Sequence, residues 1–228
     1  IDMANQYGAK SIVTDGLTFA VDVIDLNCYP GSGTTITDLV GGNAGTMNNS
    51  PTIESSPTKH INMSGNSGTV EFTDYKPTTF HGTSFTLEFF YTDINGSNKG
   101  IFSQGIGFQV FAHSRRIISY QSDDAGSSYF ISGTANNTYG TNGVWRHYVM
   151  TRNGSTITFY SNGSEDGTIT GLSNTVSATN QTHQYLGGYD TGNQLYNGAM
   201  GPVRTYNRPL TLAEVQQNFN AQRGRFGI

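Results

Sequence analysis

The side chains of this chain that could carry chemistry are few and widely spaced. Hydrolysis of a glycosidic bond needs two carboxylates that face each other across the sugar, roughly 5–9.5 Å apart. The glutamates do not follow the E-x-D-x-x-E or E-x-D-x-E spacing that would place such a pair on one strand, and they are Glu54, Glu71, Glu88, Glu165 and Glu214. The sequence also lacks the G-x-S-x-G motif of many serine hydrolases. We therefore predict that the protein is not an enzyme.

Patterns typical of metal sites are also sparse. The sequence contains no H-x-H and no C-x-x-C, which argues against zinc. Calcium prefers oxygen ligands from loop carboxylates and carbonyls, and Asp123, Asp124 and Asp190 could supply them. We favour the simpler interpretation, in which these acids are solvated turn residues and the protein needs no cofactor, and we keep calcium as the alternative.

Two loop regions combine aromatic rings with amides and carboxylates, as sugar-binding sites do. An aromatic face packs on the C–H patches of a sugar while polar groups fix its hydroxyls. The candidate glycan-binding residues are Tyr189, Asp190, Asn193 and Tyr196 in one loop, and Tyr129 and Tyr139 near the Asp123-Asp124 pair. The alternative is that these tyrosines pack on a sheet and expose only their hydroxyls.

Composition narrows the class of protein. The 228 residues carry a formal net charge of −4, which argues against nucleic acid or an anionic membrane as a partner. The sequence contains no signal-peptide pattern and no apolar run long enough to span a membrane. The single cysteine, Cys28, excludes an intramolecular disulfide.

The hydrophobic pattern predicts an all-β fold. Gly16–Ile24 and Gly82–Tyr91 alternate apolar and polar residues, and short strands recur at regular spacing with turn signals between them. We interpret residues 1–15 as an N-terminal arm and residues 16–228 as one antiparallel two-sheet sandwich. Gly198–Tyr206 is predicted as the last strand, and Gly41–Asn49 as a Gly- and Asn-rich loop.

Asn153-Gly154, between the strands Val144–Thr151 and Thr156–Ser161, predicts a β-hairpin. A two-residue turn would pair Met150 with Ile157. A three-residue loop would pair Val149 with Phe159, and we prefer it because it joins the Trp145 face to the apolar residues of the partner strand.

The C-terminal region predicts the one helix of the protein. Thr211 and Glu214 form a capping box, and the helix Leu212–Ala221 is expected to end before Gly224. Its inward face is expected to consist of Leu212, Val215 and Phe219. Phe226 and Ile228 follow, and we expect both to be buried, on this domain's own sheet in preference to a neighbouring subunit.

Three stretches resemble the concanavalin A-like lectin/glucanase superfamily, in its laminin G-like, pentraxin-like branch. They are YPGSGTT from Tyr29, the W-x-H-x-V hairpin from Trp145, and VRTYNRPLT from Val203. The resemblance extends from Thr14 to the C-terminus and implies a jelly-roll sandwich with one short C-terminal helix. The family's closing I-D-E-V, which carries an acidic pair, is replaced here by Met200-Gly201-Pro202-Val203, and this argues against calcium.

The whole architecture is similar to virion proteins of tailed phages that carry a laminin G-like module. This implies a non-enzymatic structural or adhesion protein, such as a head decoration, fibre or spike component. It would be assembled in the bacterial cytoplasm and displayed on the virion surface. Its expected partners are other virion proteins, host surface glycans and copies of itself. The alternatives are a secreted bacterial carbohydrate-binding module and a divergent glycan-active enzyme.

Overall fold

The computed structural model describes residues 11–63, 68–73, 80, 82–92, 99–104, 107–113, 116–123, 128–134, 143–172, 182–189 and 191–228, with the backbone alone for 113, 116, 118–123 and 128–134. The strands in chain order are β1 (Leu17–Val21), β2 (Thr35–Thr37), β3 (Ala44–Asn48), β4 (Thr52–Glu54), β5 (His60–Asn62), β6 (Thr69–Thr73), β7 (Ser84–Tyr91), β8 (Lys99–Gln104), β9 (Phe108–His113), β10 (Arg116–Asp123), β11 (Ser128–Thr134), β12 (Arg146–Asn153), β13 (Thr156–Ser161), β14 (Ser164–Ile169), β15 (His183–Leu186) and β16 (Ala199–Tyr206). The helix α1 covers Leu212–Phe226.

The strands form two antiparallel sheets that pack face to face, which confirms the predicted jelly-roll sandwich. Sheet A has the order β14-β13-β12-β7-β16-β5-β4, with β1 also paired to β16. Sheet B has the order β11-β10-β9-β8-β15-β6-β3-β2. Within the described ranges, no helix has the length and apolar character needed to cross a bilayer.

The alternation predicted for the Gly82–Tyr91 segment is confirmed in β7. Its odd-numbered side chains point into the core between the sheets, and they are Phe85, Leu87, Phe89 and Tyr91. Its even-numbered side chains Thr86, Glu88 and Phe90 point to the other face and are also fully buried. Both faces of sheet A are therefore covered at this strand.

The Gly41–Asn49 segment was expected to be a loop, and this is wrong, because β3 lies within it and pairs with β6. Gly45 in this strand lies flat against the ring of Phe72, where a Cβ would come within 2.7 Å of the ring carbons. The glycine that indicated a loop is thus required by the close approach of a neighbouring side chain.

The register of the Asn-Gly hairpin differs from both registers considered, so the Met150–Ile157 and Val149–Phe159 pairings are wrong. Asn153 pairs with Thr156 across the two-residue turn Gly154-Ser155, and Met150 faces Phe159. Tyr148 and Met150 therefore join the core, whereas His147 and Val149 point to the outer face. Alternation could not decide between the faces, because sheet A buries apolar side chains on both.

Helix α1 begins as predicted and ends later than predicted. Thr211 and Glu214 form the capping box, and the last turn runs through Gly224 to a left-handed cap at Gly227, φ +67°. Leu212 is 43% exposed, so its predicted inward orientation is wrong. Val215 and Phe219 do face the sheet, where they pack in two small clusters on the outer side of sheet A.

The C-terminal residues are held on the same chain. Phe226 is 4% exposed, and its ring centroid lies 4.7 Å from that of Phe90 and 4.6 Å from that of Trp145. Ile228 packs on this cluster and is half-buried. Arg225 adds a bidentate ion pair to Asp22 at 2.7 and 2.9 Å.

A buried polar cluster fixes the middle of α1 to sheet A. The Glu88 carboxylate is fully buried and lies 2.9 Å from His147 Nε2 and 3.3 Å from Arg204 NH1. Asn218 of α1 donates from Nδ2 to its second oxygen at 2.7 Å, and the Tyr206 hydroxyl oxygen lies 3.4 Å from the same oxygen. We call these five residues the Glu88 cluster.

The Glu88 cluster also binds the chain before β1. The Val13 amide donates to Asn218 Oδ1 at 2.7 Å, and the Val13 carbonyl accepts from the Tyr206 hydroxyl at 3.2 Å. Gln217 donates to the Ser11 carbonyl at 2.7 Å. Residues 11–15 therefore lie as a strap across α1 and β16.

We expect Phe226→Ala to lower the free energy of unfolding by about 3 kcal/mol, because it removes a buried ring from a packed aromatic cluster. Equilibrium urea unfolding measures this loss. Ile228→Ala is the control and is expected to cost clearly less, since Ile228 is only half-buried. Equal losses in the two variants would contradict the packing described for the C-terminus.

The Glu88 cluster predicts an acid-sensitive stability. Burial alone would raise the pKa of Glu88, but the Arg204 charge and the hydrogen bonds from His147 and Asn218 outweigh it and hold that pKa below 4.5. The stabilisation is then complete above pH about 4.5 and is lost as pH falls through the lowered pKa of the folded state.

Glu88→Gln is expected to destabilise the fold by about 3–5 kcal/mol at neutral pH, because it leaves the Arg204 charge buried without its partner. Thermal melts from pH 3 to 8 provide the measurement. Glu165→Gln on the exposed edge strand β14 is the matched control and is expected to leave the melting temperature unchanged. A loss below about 1 kcal/mol in Glu88→Gln would show that the ion pair contributes no more than a surface pair.

Candidate functional site

The outer face of sheet B carries the polar side chains that could contact a ligand. In β6, Val70 and Phe72 point into the core, so Thr69, Glu71 and Thr73 point outward. The register places Tyr185 of β15 beside Glu71. Thr46 of β3 lies on the other side of the same residue.

Glu71 is the centre of this surface. Its Oε1 accepts a hydrogen bond from the Tyr185 hydroxyl at 3.0 Å, and its Oε2 accepts one from Asn48 Nδ2 at 2.8 Å. His183 Nε2 lies 3.6 Å from Oε1. The side chain of Glu71 is 19% exposed. Three strands therefore hold one half-buried carboxylate in a fixed orientation with access to solvent.

Two aromatic rings lie beside the carboxylate. The His183 and Tyr185 rings are nearly parallel, with centroids 5.9 Å apart and an interplanar angle of 9°. Tyr185 is mostly buried, whereas 37% of the His183 side chain is exposed. Thr182 Oγ1 lies 2.7 Å from His183 Nδ1 and orients the ring. The exposed ring thus forms a small platform next to hydrogen-bonding groups.

We call Asn48, Glu71, His183 and Tyr185, with the exposed Thr46 and Thr73 at its rim, the Glu71 patch. The face is open over β3 and β6. Towards the neighbouring strands β8 and β9 it becomes covered, since Ser103 and Gln109 are buried. The open part is where a ligand can approach.

The arrangement suits binding rather than hydrolysis. An ionised carboxylate offers about four lone-pair positions, and each oxygen of Glu71 already accepts one bond from Asn48 or Tyr185. The remaining lone pairs can accept bonds from sugar hydroxyls. Hydrolysis would need a second carboxylate facing the first, and the described side chains of β3, β6, β8 and β15 include none. Glu88 is fully buried beneath α1 and cannot contact a substrate.

The predicted sugar-binding loop lies at one end of this patch. The Tyr189 amide donates to the Asn193 carbonyl at 3.2 Å, with Tyr189 half-buried and Asn193 exposed. The loop contacts the end of β3, where Asn49 Nδ2 donates to the Thr191 carbonyl. Because Asn48 precedes Asn49, the loop and the Glu71 patch are neighbours.

Tyr196, predicted as a sugar platform, is in a different environment. It is 1% exposed, belongs to the core, and donates its hydroxyl hydrogen bond to the Thr92 carbonyl. A ring in this position cannot stack on a sugar, because the core packing already occupies its surface.

The remaining candidates are described in part or not at all. The backbones of Asp123 and Tyr129 lie in β10 and β11, without described side chains. Asp124, Tyr139 and Asp190 lie outside the described residues. Among the side chains that are described, no group of three His, Cys, Asp or Glu is arranged to hold a metal ion. The glycan and calcium roles assigned to these five residues stay predictions.

Sequence reasoning missed the Glu71 patch because its members are far apart in the chain. Glu71 was noted only as a carboxylate outside any catalytic spacing. The available signal was the alternation in Thr69–Thr73 and His183–Leu186, which puts Glu71, His183 and Tyr185 on outward positions. Only strand pairing brings Asn48 to the same place.

Comparison with known proteins was informative at the level of fold and family. A laminin G-type family model, described as the concanavalin A-like lectin/glucanases superfamily, matches residues 64–216. A search of curated proteins gives no match.

Three solved structures are similar to this fold. The binding domain of Paraclostridial Mosquitocidal Protein 1 has a TM-score of 0.66 and 19% identity over 90% of this chain and 52% of that chain. Domain 4 of AbnA, an extracellular arabinanase from Geobacillus stearothermophilus, in complex with arabinotriose, has a TM-score of 0.66 and 14% identity over 90% and 98%. The binding domain of Botulinum Neurotoxin DC in complex with SialylT has a TM-score of 0.67 and 12% identity over 91% and 52%.

The chain spans about half the length of the two toxin binding domains and nearly all of the arabinanase domain. At these identities the likeness shows a shared fold. The family model covers well over half of the sequence and agrees with the two-sheet sandwich. The chain therefore belongs to the concanavalin A-like lectin/glucanases superfamily, within its laminin G-type family.

Proposed function

We propose that this domain is a non-catalytic carbohydrate-binding module that binds glycans through the Glu71 patch. The observation that carries the proposal is the half-buried Glu71 carboxylate, oriented by Tyr185 and Asn48 beside the exposed His183 ring. A sugar needs both a flat ring for its C–H surface and fixed polar groups for its hydroxyls. The patch supplies both on the sandwich face that α1 leaves uncovered.

The likeness to another sugar-associated domain supports this proposal. The arabinanase domain of similar fold, 98% of which this chain covers, was solved with arabinotriose. That domain therefore has this fold and was solved with a sugar ligand. The site in this chain is argued from its own residues.

The loop beside the patch extends the proposed site. Asn193 is exposed and Tyr189 is half-buried, and their loop contacts the strand end that carries Asn48. A ligand longer than one sugar could cross from the Glu71 carboxylate to this loop. Tyr189 and Asn193 are therefore kept as candidate contacts for a second sugar residue.

We further propose that the module is displayed on the surface of a tailed-phage virion, next to other virion proteins, and that its ligand is a host surface glycan. This part rests on the sequence resemblance alone. Negative-stain imaging of phage particles labelled with an antibody against this protein tests it. Label on purified particles would support virion display, and label confined to host membranes or culture medium would support the secreted module.

Glycan binding is tested with the purified protein on a glycan array, followed by calorimetry with the strongest array ligand. We expect Asn48→Ala to weaken binding about tenfold, equivalent to about 1.4 kcal/mol, because Glu71 loses the amide that orients it. His183→Ala is expected to have an effect of similar size, because it removes the exposed ring of the patch.

The control is Asn62→Ala on β5 of sheet A. Asn62 likewise donates its amide to a glutamate, Glu54, but on the opposite sheet. We expect this variant to bind like the parent protein. Unchanged affinity in both patch variants, or an equal loss in Asn62→Ala, would move the binding site away from the Glu71 patch.

A further inference from the structure

We infer that the Glu71 patch selects uncharged glycans and rejects acidic ones. This inference rests on the proposed function, and it adds the chemical class of the ligand. The reasons lie in the charge of the patch and in its hydrogen-bonding capacity.

The charge at the patch is negative at neutral pH. Glu71 is the one carboxylate among the described side chains of β3, β6, β8 and β15. Lys99 is the one Lys or Arg among the described side chains of these strands, and it pairs with Ala112, whose side chain lies in the core. The Lys99 side chain is therefore on the core side of sheet B, opposite Glu71, and does not neutralise it. A second anion brought to the patch would meet an uncompensated like charge in a partly desolvated position.

The hydrogen-bonding capacity of Glu71 also favours uncharged glycans over acidic ones. Glu71 is acceptor-only when ionised. A neutral sugar presents hydroxyl groups, each of which can donate to a free lone pair of the carboxylate. At neutral pH, neither the carboxylate of a sialic acid nor the sulfate group of a sulfated sugar has a proton to donate. The donors that could have bound such an anion, Asn48 Nδ2 and the Tyr185 hydroxyl, are already engaged by Glu71.

The experiment compares matched pairs of glycans with and without terminal sialic acid, presented on one array to the intact protein. At pH 7.5 we expect each bound asialo-glycan to bind at least about tenfold more strongly than its sialylated partner, since like charges at an interface cost this much or more. Glu71→Gln keeps the shape of the side chain and removes its charge. It is expected to reduce the preference to less than about threefold, whereas Glu165→Gln on sheet A is expected to leave it unchanged. Circular dichroism at pH 7.5 verifies that each variant is folded.

The outcomes separate this inference from the proposed function. Equal or stronger binding of the sialylated partners by the parent protein at pH 7.5 overturns the inference alone. A preference that survives Glu71→Gln also overturns it alone. Absence of binding to every array member, or binding that is unaffected in Asn48→Ala and His183→Ala, overturns the proposed function and with it this inference.

Discussion

The constraint on which the structure depends is the burial of the Glu88 carboxylate under helix α1. A buried charge is tolerated only when it is paired and hydrogen-bonded. Arg204 and His147 come from the strands on either side of β7, and Asn218 comes from the helix. Satisfying one carboxylate therefore fixes the position of α1 on sheet A. The strap before β1 is fixed by the same residues, through Val13.

This constraint makes the two outer faces of the sandwich different, since α1 covers one face and the other carries the proposed binding site. Glu88 and Glu71 are both glutamates at outward positions of strands, but their surroundings differ. Donors surround Glu88 and no solvent reaches it. Glu71 is held by two donors and keeps part of its surface in water. A carboxylate whose bonds are all satisfied by the protein stabilises the fold, whereas one with free lone pairs at the surface can serve a ligand.

The sequence predicted the architecture well, because local patterns carry that information. The alternation in β7, the places of β1 and β16 as the first and last strands of the chain, and the Thr211 capping box all follow from spacing and residue type. The hairpin register failed because apolar residues line both faces of sheet A. β3 was missed because the position of Gly45 is explained only by the Phe72 ring on the neighbouring strand.

The candidate site was less predictable because its residues come from segments that are distant in the sequence. Loop residues such as Tyr189 and Asn193 are close in sequence, so their combination is visible before folding. Tyr196 belongs to the same stretch, yet its ring fills the core, and spacing gives no sign of that. Asn48, Glu71 and His183 come together only through the order β15-β6-β3 in sheet B. Contacts between distant segments require the strand order, and the sequence pattern leaves that order open.

The position of the strap and the C-terminal cluster has a consequence for how the patch is presented. Ser11 is bound by α1, and Ile228 packs beside Phe90 and Trp145, so both lie on the outer side of sheet A. The Glu71 patch lies on the opposite side of the sandwich. If the domain were tethered to a surface at either position, the Glu71 patch would face away from that surface. Copies anchored side by side would then face outward together, and contacts that are weak one at a time would reinforce each other on a glycan-coated surface.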